Sequence, residues 1–262
     1  MQTDTVDGTM PALSARGLTV TYGGVVANDS IDLHVEAGEV VGLIGPNGAG
    51  KTTFIDAISG FTRYSGEVWL GTTRLDGMAT HRRRRLGLAR TWQAGELFTD
   101  LTAAENLEVA CRSVGLGMVL GDLLHRGTRR RHEHVEQALA AVGLADAADR
   151  RPSDLSLGEQ KLVGVARALA GGSRVLLLDE PAAGLDTDES RRLGRQLRAI
   201  AQTGVASLLV DHDMGLVLEV CDRVYVLDFG RLIASGTPSE VVADQGVVAA
   251  YLGSPETHAV QA

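Results

Sequence analysis

Apolar residues recur along this chain in two rhythms. Short blocks of β-branched and other apolar side chains, Leu18 to Tyr22, Ile31 to Val35 and Glu39 to Ile44, are separated by glycine or Asn-Asp punctuation, and each reads as a strand. The third runs straight into a glycine-rich turn, Gly45 to Gly50. Past that turn the rhythm changes. Phe54, Ile55 and Ile58 share one side of a helix over Lys51 to Ser59, and Gly60 supplies a stop.

Farther along, the hairpin-like stretch Gly66 to Leu75 and the apolar run Leu86 to Trp92 add sheet. Thr102 to Leu116 and Arg129 to Val142 carry helical spacing, so the middle of the chain reads as a helical insertion. An alternation then returns: strand Val175 to Leu178, helix Asp188 to Ala201, strand Val205 to Val210, helix Met214 to Val220, then Arg223 to Leu227 and Arg231 to Ala234. Such alternation predicts an α/β layered core with a mostly parallel sheet. Two arginine-rich stretches, His81 to Arg85 and Arg126 to Arg131, read as solvated helix faces, with a partner contact as the alternative.

Composition narrows the classes. A chain of 262 residues with 44% hydrophobic content can bury a real core. No apolar block reaches the roughly 18 consecutive residues that a membrane helix needs. Met1 to Met10 carries no basic region and no apolar stretch of the kind a signal peptide has, so the expected compartment is the cytoplasm. The net charge of -8 argues against a nucleic-acid binder that works by neutralising phosphates. Cys111 and Cys221 are far apart, without companions at metal-ligand spacing, and are expected to be reduced and structural.

Chemistry concentrates at the first turn. Gly45-Pro46-Asn47-Gly48-Ala49-Gly50-Lys51-Thr52 fits the G-x-x-x-x-G-K-[ST] phosphate loop, in the strand–loop–helix context that the motif requires. Its four fixed positions would coincide by chance in a chain this long about once in a hundred times. Glycines let the backbone curl against phosphates, so that successive N–H groups and the positive end of the following helix face the anion. Lys51 then reaches the β- and γ-phosphates, Thr52 is placed to coordinate Mg²⁺, and Thr53 belongs to the same first helical turn. The expected ligand is Mg-ATP.

A second element is the run Val175-Leu176-Leu177-Leu178-Asp179-Glu180, an apolar strand that ends in two acids. Ligands of open α/β sheets collect beyond the carboxyl ends of strands. Asp179 can therefore join a magnesium shell, and Glu180 can orient or deprotonate an attacking water.

Upstream of that strand, Leu155-Ser156-Leu157-Gly158-Glu159-Gln160 resembles the signature motif of ABC ATPases. Other marks of the family match in order: Tyr22 as the adenine-stacking aromatic, Gln93 as the Q-loop residue and a metal contact, Ala183-Gly184-Leu185-Asp186 as the D-loop, and His212 as the switch histidine. The resemblance covers Leu18 to Gly253. It implies a P-loop NTPase core with a mostly parallel sheet, an N-terminal antiparallel β subdomain and an inserted helical subdomain. Residues 12–253 are then one domain, with 12–92 and 152–235 as the nucleotide-binding core. Residues 93–151 form the helical insertion, 236–253 C-terminal helices, and 1–11 and 254–262 flexible tails. The resemblance also implies ATP hydrolysis with Mg²⁺ by two such domains paired head to tail. Ser156, Leu157, Gly158 and Glu159 of one subunit would face ATP held by the other, with Glu180 and His212 as the catalytic pair. Leu157 and Glu159 depart from the common LSGGQ form.

Within the family, Ala89-Arg90-Thr91-Trp92-Gln93, Pro181 to Leu185, Asp211-His212-Asp213-Met214 and the stretch from Gly236 to Gly253 look like the ATP-binding subunits of branched-chain amino acid importers. That likeness implies a second nucleotide-binding subunit, transmembrane permease subunits at the cytoplasmic face of the membrane, an extracytoplasmic solute-binding protein, and no nucleic acid. Leu97, Phe98, Leu101 and Leu107 are candidates for the groove that receives a permease helix, or for the helical subdomain's own core. The alternatives are the ATPase of a lipopolysaccharide-type exporter, or a soluble ABC ATPase outside transport.

Overall fold

The computed structural model describes residues 10–91, 97–111 and 126–252. In chain order the strands and helices are β1 (Leu13–Tyr22), β2 (Val25–Val35), β3 (Val40–Ile44), α1 (Lys51–Ser59), β4 (Ser65–Leu70), β5 (Thr73–Arg74), α2 (Thr80–Arg85) and β6 (Leu88–Thr91). Next come α3 (Ala103–Cys111), α4 (Arg126–Ala141), α5 (Leu157–Ala170), β7 (Val175–Asp179), α6 (Thr187–Gln202), β8 (Ala206–Val210) and α7 (Met214–Val220). The series ends with β9 (Arg223–Asp228), β10 (Arg231–Gly236), α8 (Pro238–Ala243) and α9 (Gln245–Leu252).

Among the described residues, six strands make the central sheet, in the order β10-β9-β3-β8-β7-β6. All pairs are parallel except β10 with β9. β3, β7 and β8 are buried at every position, because helices or a second sheet cover both of their faces. The pleat sends alternate side chains of these strands into two different cores. Val41, Leu43, Val175, Leu177, Leu208 and Leu227 face a core shared with Phe54, Ile55 and Ile58 of α1 and with the four-stranded antiparallel sheet β2-β1-β4-β5. Val40, Ile44, Leu176, Leu178, Leu209 and Val226 face the other core, with Leu162 and Val163 of α5, Leu193 and Leu197 of α6, and Leu107 and Leu139 from the helical region.

β1 and β2 are longer than their apolar cores suggest. They begin at Leu13 and Val25, not at Leu18 and Ile31, because Ser14 pairs with His34 and Val20 with Asn28 across the ladder. Cross-strand pairing makes strand out of residues whose own pattern is mixed. Gly66 to Leu75 divides into β4 and the two-residue β5, which pair antiparallel.

One expectation needs correction. Within the stretch His81 to Arg85, Arg83 is not a solvated residue: it is 3% exposed. Its guanidinium donates to the carbonyls of Ala57 (3.0 Å), Ile58 (2.6 Å) and Met78 (2.9 Å). Two of these acceptors belong to the last turn of α1, where carbonyls have no partner within the helix. The side chains of the other stretch, 126–131, lie outside the described residues. Among the groove candidates Leu107 is fully buried core, Leu97 and Leu101 are half-buried, and Phe98 is exposed on the lining of a cleft of about 330 Å³ between the sheet edge and α5. No described helix is long and apolar enough to cross a membrane.

Candidate active site

The glycine turn grows from β3 and is tied down on two sides. Gly45 has a φ of 150°, and a Cβ there would overlap the Leu227 carbonyl oxygen of β9. At Gly50, with a φ of 104°, a Cβ would lie 2.5 Å from the Ala27 carbonyl oxygen of β2. Only glycine admits both close approaches in that backbone region. Gly230 N–H donates to Ala49 O at 2.9 Å and Asn28 Nδ2 to Gly50 O at 3.2 Å, fixing the loop's far wall. Pro46, Asn47 and Gly48 form the lip, with Asn47 and Gly48 exposed. Lys51 is 8% exposed and its Nζ donates to Gly45 O (2.6 Å) and Pro46 O (2.9 Å), which holds the ammonium across the loop's mouth. Thr52 is exposed and Thr53 half-buried in the first turn of α1. That turn contains no acidic residue, and its N-cap, Gly50, offers no capping side chain. The helix's positive end thus faces the loop without an internal counter-charge.

β7 delivers the paired acids to the same edge. Asp179 is 4% exposed; its Oδ2 accepts from Arg90 Nη2 at 2.8 Å, and Arg90 Nη1 bridges on to Asp56 Oδ1 of α1 at 2.5 Å. Asp179 Oδ1 is buried with no hydrogen-bond partner among the described residues. A buried carboxylate oxygen without a donor loses its hydration uncompensated. It therefore fits a hard cation, which takes oxygen ligands. Glu180 follows with a φ of 46°, a left-handed conformation uncommon outside glycine, held by its N–H to Val210 O at 2.7 Å. At the end of β8, Asp211 is buried and accepts from the N–H groups of Ala182 and Asp213, both at 3.0 Å. Asp211 Oδ1 lies 3.7 Å from Nδ1 of the exposed His212. β3, β8 and β7 are neighbours in that order, so three parallel strands bring the glycine loop, His212 and the Asp179–Glu180 pair to one carboxyl edge.

The N-terminus of α5 is finished differently. Ser156 is its N-cap in a capping box: Glu159 N–H donates to Ser156 Oγ (3.3 Å) and Ser156 N–H to Glu159 Oε2 (3.0 Å). Glu159 therefore has a structural reason to be acidic. Gly158 is buried, and Leu157 is 45% exposed against the turn at Gly184. Ser156 Oγ and Gly158 N–H both donate to Glu189 of α6. Asp186 caps α6, accepting from the N–H groups of Asp188 (2.9 Å) and Glu189 (2.8 Å). Tyr22, at the end of β1, is half-exposed with its hydroxyl 3.1 Å from Thr62 Oγ1. Gln93 lies outside the described residues.

Three residues near this site carry weight that pattern reading did not give them. Arg90 sits in a short, largely buried strand, and a guanidinium there calls for acids; the buried Asp179 and the partly exposed Asp56 are those acids. Lys161 of α5 is buried, and desolvation lowers its pKa against the opposing pull of Asp211 and Glu180. Glu189 gave no signal at all, since it stands 33 residues from its partner Ser156.

Residues 28–183 match the family model described as ABC transporter, and residues 231–257 match one described as branched-chain amino acid ATP-binding cassette transporter. The chain is 37% identical over 252 residues to the high-affinity branched-chain amino acid transport ATP-binding protein LivG of Salmonella typhimurium, covering 93% of this chain and 98% of LivG. It is 35% identical over 242 residues to the lipopolysaccharide export system ATP-binding protein LptB of Acidithiobacillus ferridurans, covering 92% of this chain and 96% of LptB. Among solved structures, the ADP conformation of an ATP-binding cassette of an ABC transporter superposes with a TM-score of 0.81 at 28% identity, covering 94% of this chain and all of that one.

Proposed function

The chain belongs to the ABC transporter ATP-binding family, a family of nucleotide-binding ATP hydrolases, and from that premise we propose how its residues divide the work. The observation that carries the proposal is the convergence of the phosphate loop, the Asp179–Glu180 pair and His212 on the carboxyl ends of three adjacent parallel strands.

In this scheme the backbone N–H groups between Gly45 and Thr53, Pro46 excepted, and the Lys51 ammonium hold the β- and γ-phosphates of ATP, and Tyr22 stacks on the adenine. Thr52 and Asp179 would hold Mg²⁺, which neutralises charge on the phosphate oxygens; the unpartnered Asp179 Oδ1 supports this assignment. Glu180 orients a water and accepts its proton as the water oxygen bonds to the γ-phosphorus and the bond to the bridging oxygen breaks. His212 braces the γ-phosphate side of the water, while Asp211, tied to the Ala182 and Asp213 amides, keeps the strand end rigid behind it.

Ser156 and Gly158 act in trans. They face the γ-phosphate held by a second subunit, with Asp186 at the same seam, so ATP joins two nucleotide-binding subunits and its hydrolysis releases them. The motion passes to membrane permease subunits through the cleft bordered by Phe98 and α5. The match of residues 231–257 and the likeness to LivG favour import of branched-chain amino acids, delivered by an extracytoplasmic binding protein, over lipopolysaccharide export.

The decisive experiment is Glu180→Gln. Turnover should fall by about 10³ with nucleotide binding retained, and Mg-ATP should drive the variant into a dimer. Turnover at the parent rate would remove Glu180 from the mechanism. For the cargo, the chain reconstituted with its permease and binding protein should show leucine-stimulated ATP hydrolysis; stimulation by lipopolysaccharide instead would reverse the assignment.

A further inference from the structure

The donors assigned to the partner's nucleotide already hold an anion. Ser156 Oγ donates to Glu189 Oε1 at 2.8 Å, and Gly158 N–H donates to the same oxygen at 3.2 Å. The carboxylate lies flush against the backbone: a Cβ on Gly158 would sit 3.1 Å from that oxygen and 3.2 Å from Glu189 Cδ. Glu189 N–H is itself bound to Asp186 Oδ1, so the side chain lies between the amino ends of α5 and α6, where both helices present positive charge.

An acid in the first turn of α6 steadies that helix wherever its side chain points. The neighbouring Asp188 does so with its side chain 94% exposed, 3.5 Å from Arg191. Glu189 differs by turning across to a second helix and meeting one hydroxyl and one amide there. That pair of donors is what an anionic phosphate oxygen would use.

We propose that Glu189 is an internal stand-in for the γ-phosphate, keeping the signature donors of each protomer occupied until ATP on a second protomer displaces it. The proposal rests on the assignment of Ser156 and Gly158 as partner-facing donors. Two anions cannot share one oxyanion seat, so closure exchanges hydrogen bonds that each protomer already makes instead of adding new ones. A triphosphate brings enough charge to displace the carboxylate. ADP, which ends at the β-phosphate, does not, and Glu189 resumes its place as the protomers part. Residue 189 thereby sets the ATP concentration at which two copies close, and it makes closure selective for the γ-phosphate.

The test uses the full chain with Glu180→Gln as parent, measured by sedimentation velocity against Mg-ATP and Mg-ADP. Adding Glu189→Gln removes the charge while keeping the shape, and Glu189→Ala removes both. Each closed dimer displaces two carboxylates, so at about tenfold per seat the dimer dissociation constant in ATP should fall on the order of a hundredfold. Dimer should also appear in Mg-ADP, where the parent stays monomeric. An unchanged or weaker dimer in Glu189→Gln overturns the stand-in. The Gln variant decides alone if Glu189→Ala loses its cooperative thermal transition. The two levels separate through Ser156→Ala. If the parent dimerises only with Ser156 intact and Glu189→Gln is neutral, the stand-in falls and the trans contact survives. If the parent never dimerises, or dimerises regardless of Ser156, both fall together.

Discussion

Two helix N-termini in this protein, the two assigned above to phosphate, are finished in opposite ways. The first turn of α1 has a glycine N-cap, no capping side chain and no acid. The first turn of α5 has a serine N-cap, a reciprocal capping box with Glu159, and a second acid arriving from α6. The difference concerns who supplies the anion. A loop that on the proposed scheme binds its own nucleotide keeps its amides and its lysine facing one mouth. A surface that on the proposed scheme would meet nucleotide only when two copies close is satisfied internally beforehand, because orphaned donors at a helix end are unfavourable for a free protomer.

Lys51→Ala should break the comparison on the first side most severely. Lys51 is held by the carbonyls of Gly45 and Pro46 at the loop's mouth, so on the proposed scheme it would bring a full formal charge to the phosphates. Its loss should lower turnover by about 10³ or more and weaken binding of a fluorescent ATP analogue by a similar factor. If binding drops less than about tenfold, the amides suffice and the loop depends less on charge than proposed.

Glycines test the same contrast through stability. Gly45→Ala forces a Cβ onto the Leu227 carbonyl oxygen at a φ of 150°, and should lower unfolding stability by about 3 kcal/mol in urea titrations. Gly164, in the middle of α5, leaves open space where a methyl group would go. Gly164→Ala should raise stability by up to about 1 kcal/mol, as expected for an unconstrained helical glycine. Equal effects at the two positions would mean that the phosphate loop is no more tightly bound to its neighbours than an ordinary helix.

The same contrast separates what was legible in the chain from what was not. The phosphate loop is local: strand, turn and helix stand within twenty residues, and Lys51–Ser59 and its Gly60 stop appear as the spacing predicts. β3, β7 and β8 are equally plain, since burial on both faces leaves an unbroken apolar run. Arg83 misled because arginine usually marks solvent, whereas here the carbonyls at the end of α1 require a buried donor. Arg90 with Asp179, 89 residues apart, and Ser156 with Glu189 exist only once the sheet and helices assemble. No periodicity encodes a contact between elements.

Arg90→Met sharpens the comparison where the loop helix meets the acid strand. It would leave Asp179 without its donor at Oδ2 and detach Asp56 of α1. Asp56 is 30% exposed and recovers water, so the loss should stay near 2 kcal/mol, below the full effect of breaking a sealed ion pair. Calorimetry should show lower stability, and the Mg²⁺ concentration needed for nucleotide binding should rise as the carboxylate loses its fixed orientation. A stability loss with unchanged Mg²⁺ dependence would make Arg90 a structural brace alone.

The smallest expected effect is at Leu157, where the signature departs from glycine. The side chain is 45% exposed and its Cδ2 lies 3.3 Å from the position of a Cβ on Gly184. Leu157 therefore covers the turn at Gly184, while the donors proposed to face the partner's phosphate are the neighbouring Ser156 hydroxyl and Gly158 amide, both of which here bind Glu189. Leu157→Gly removes a partly buried side chain and adds backbone freedom at the first helical position, together worth about 1 kcal/mol of stability. Turnover should change less than about threefold, because no donor is lost. A fall in turnover well beyond that, with stability lowered only as expected, would mean that Leu157 sets the D-loop's position at the seam between subunits, and the signature's departure from glycine would then be a tuning element and not a tolerated substitution.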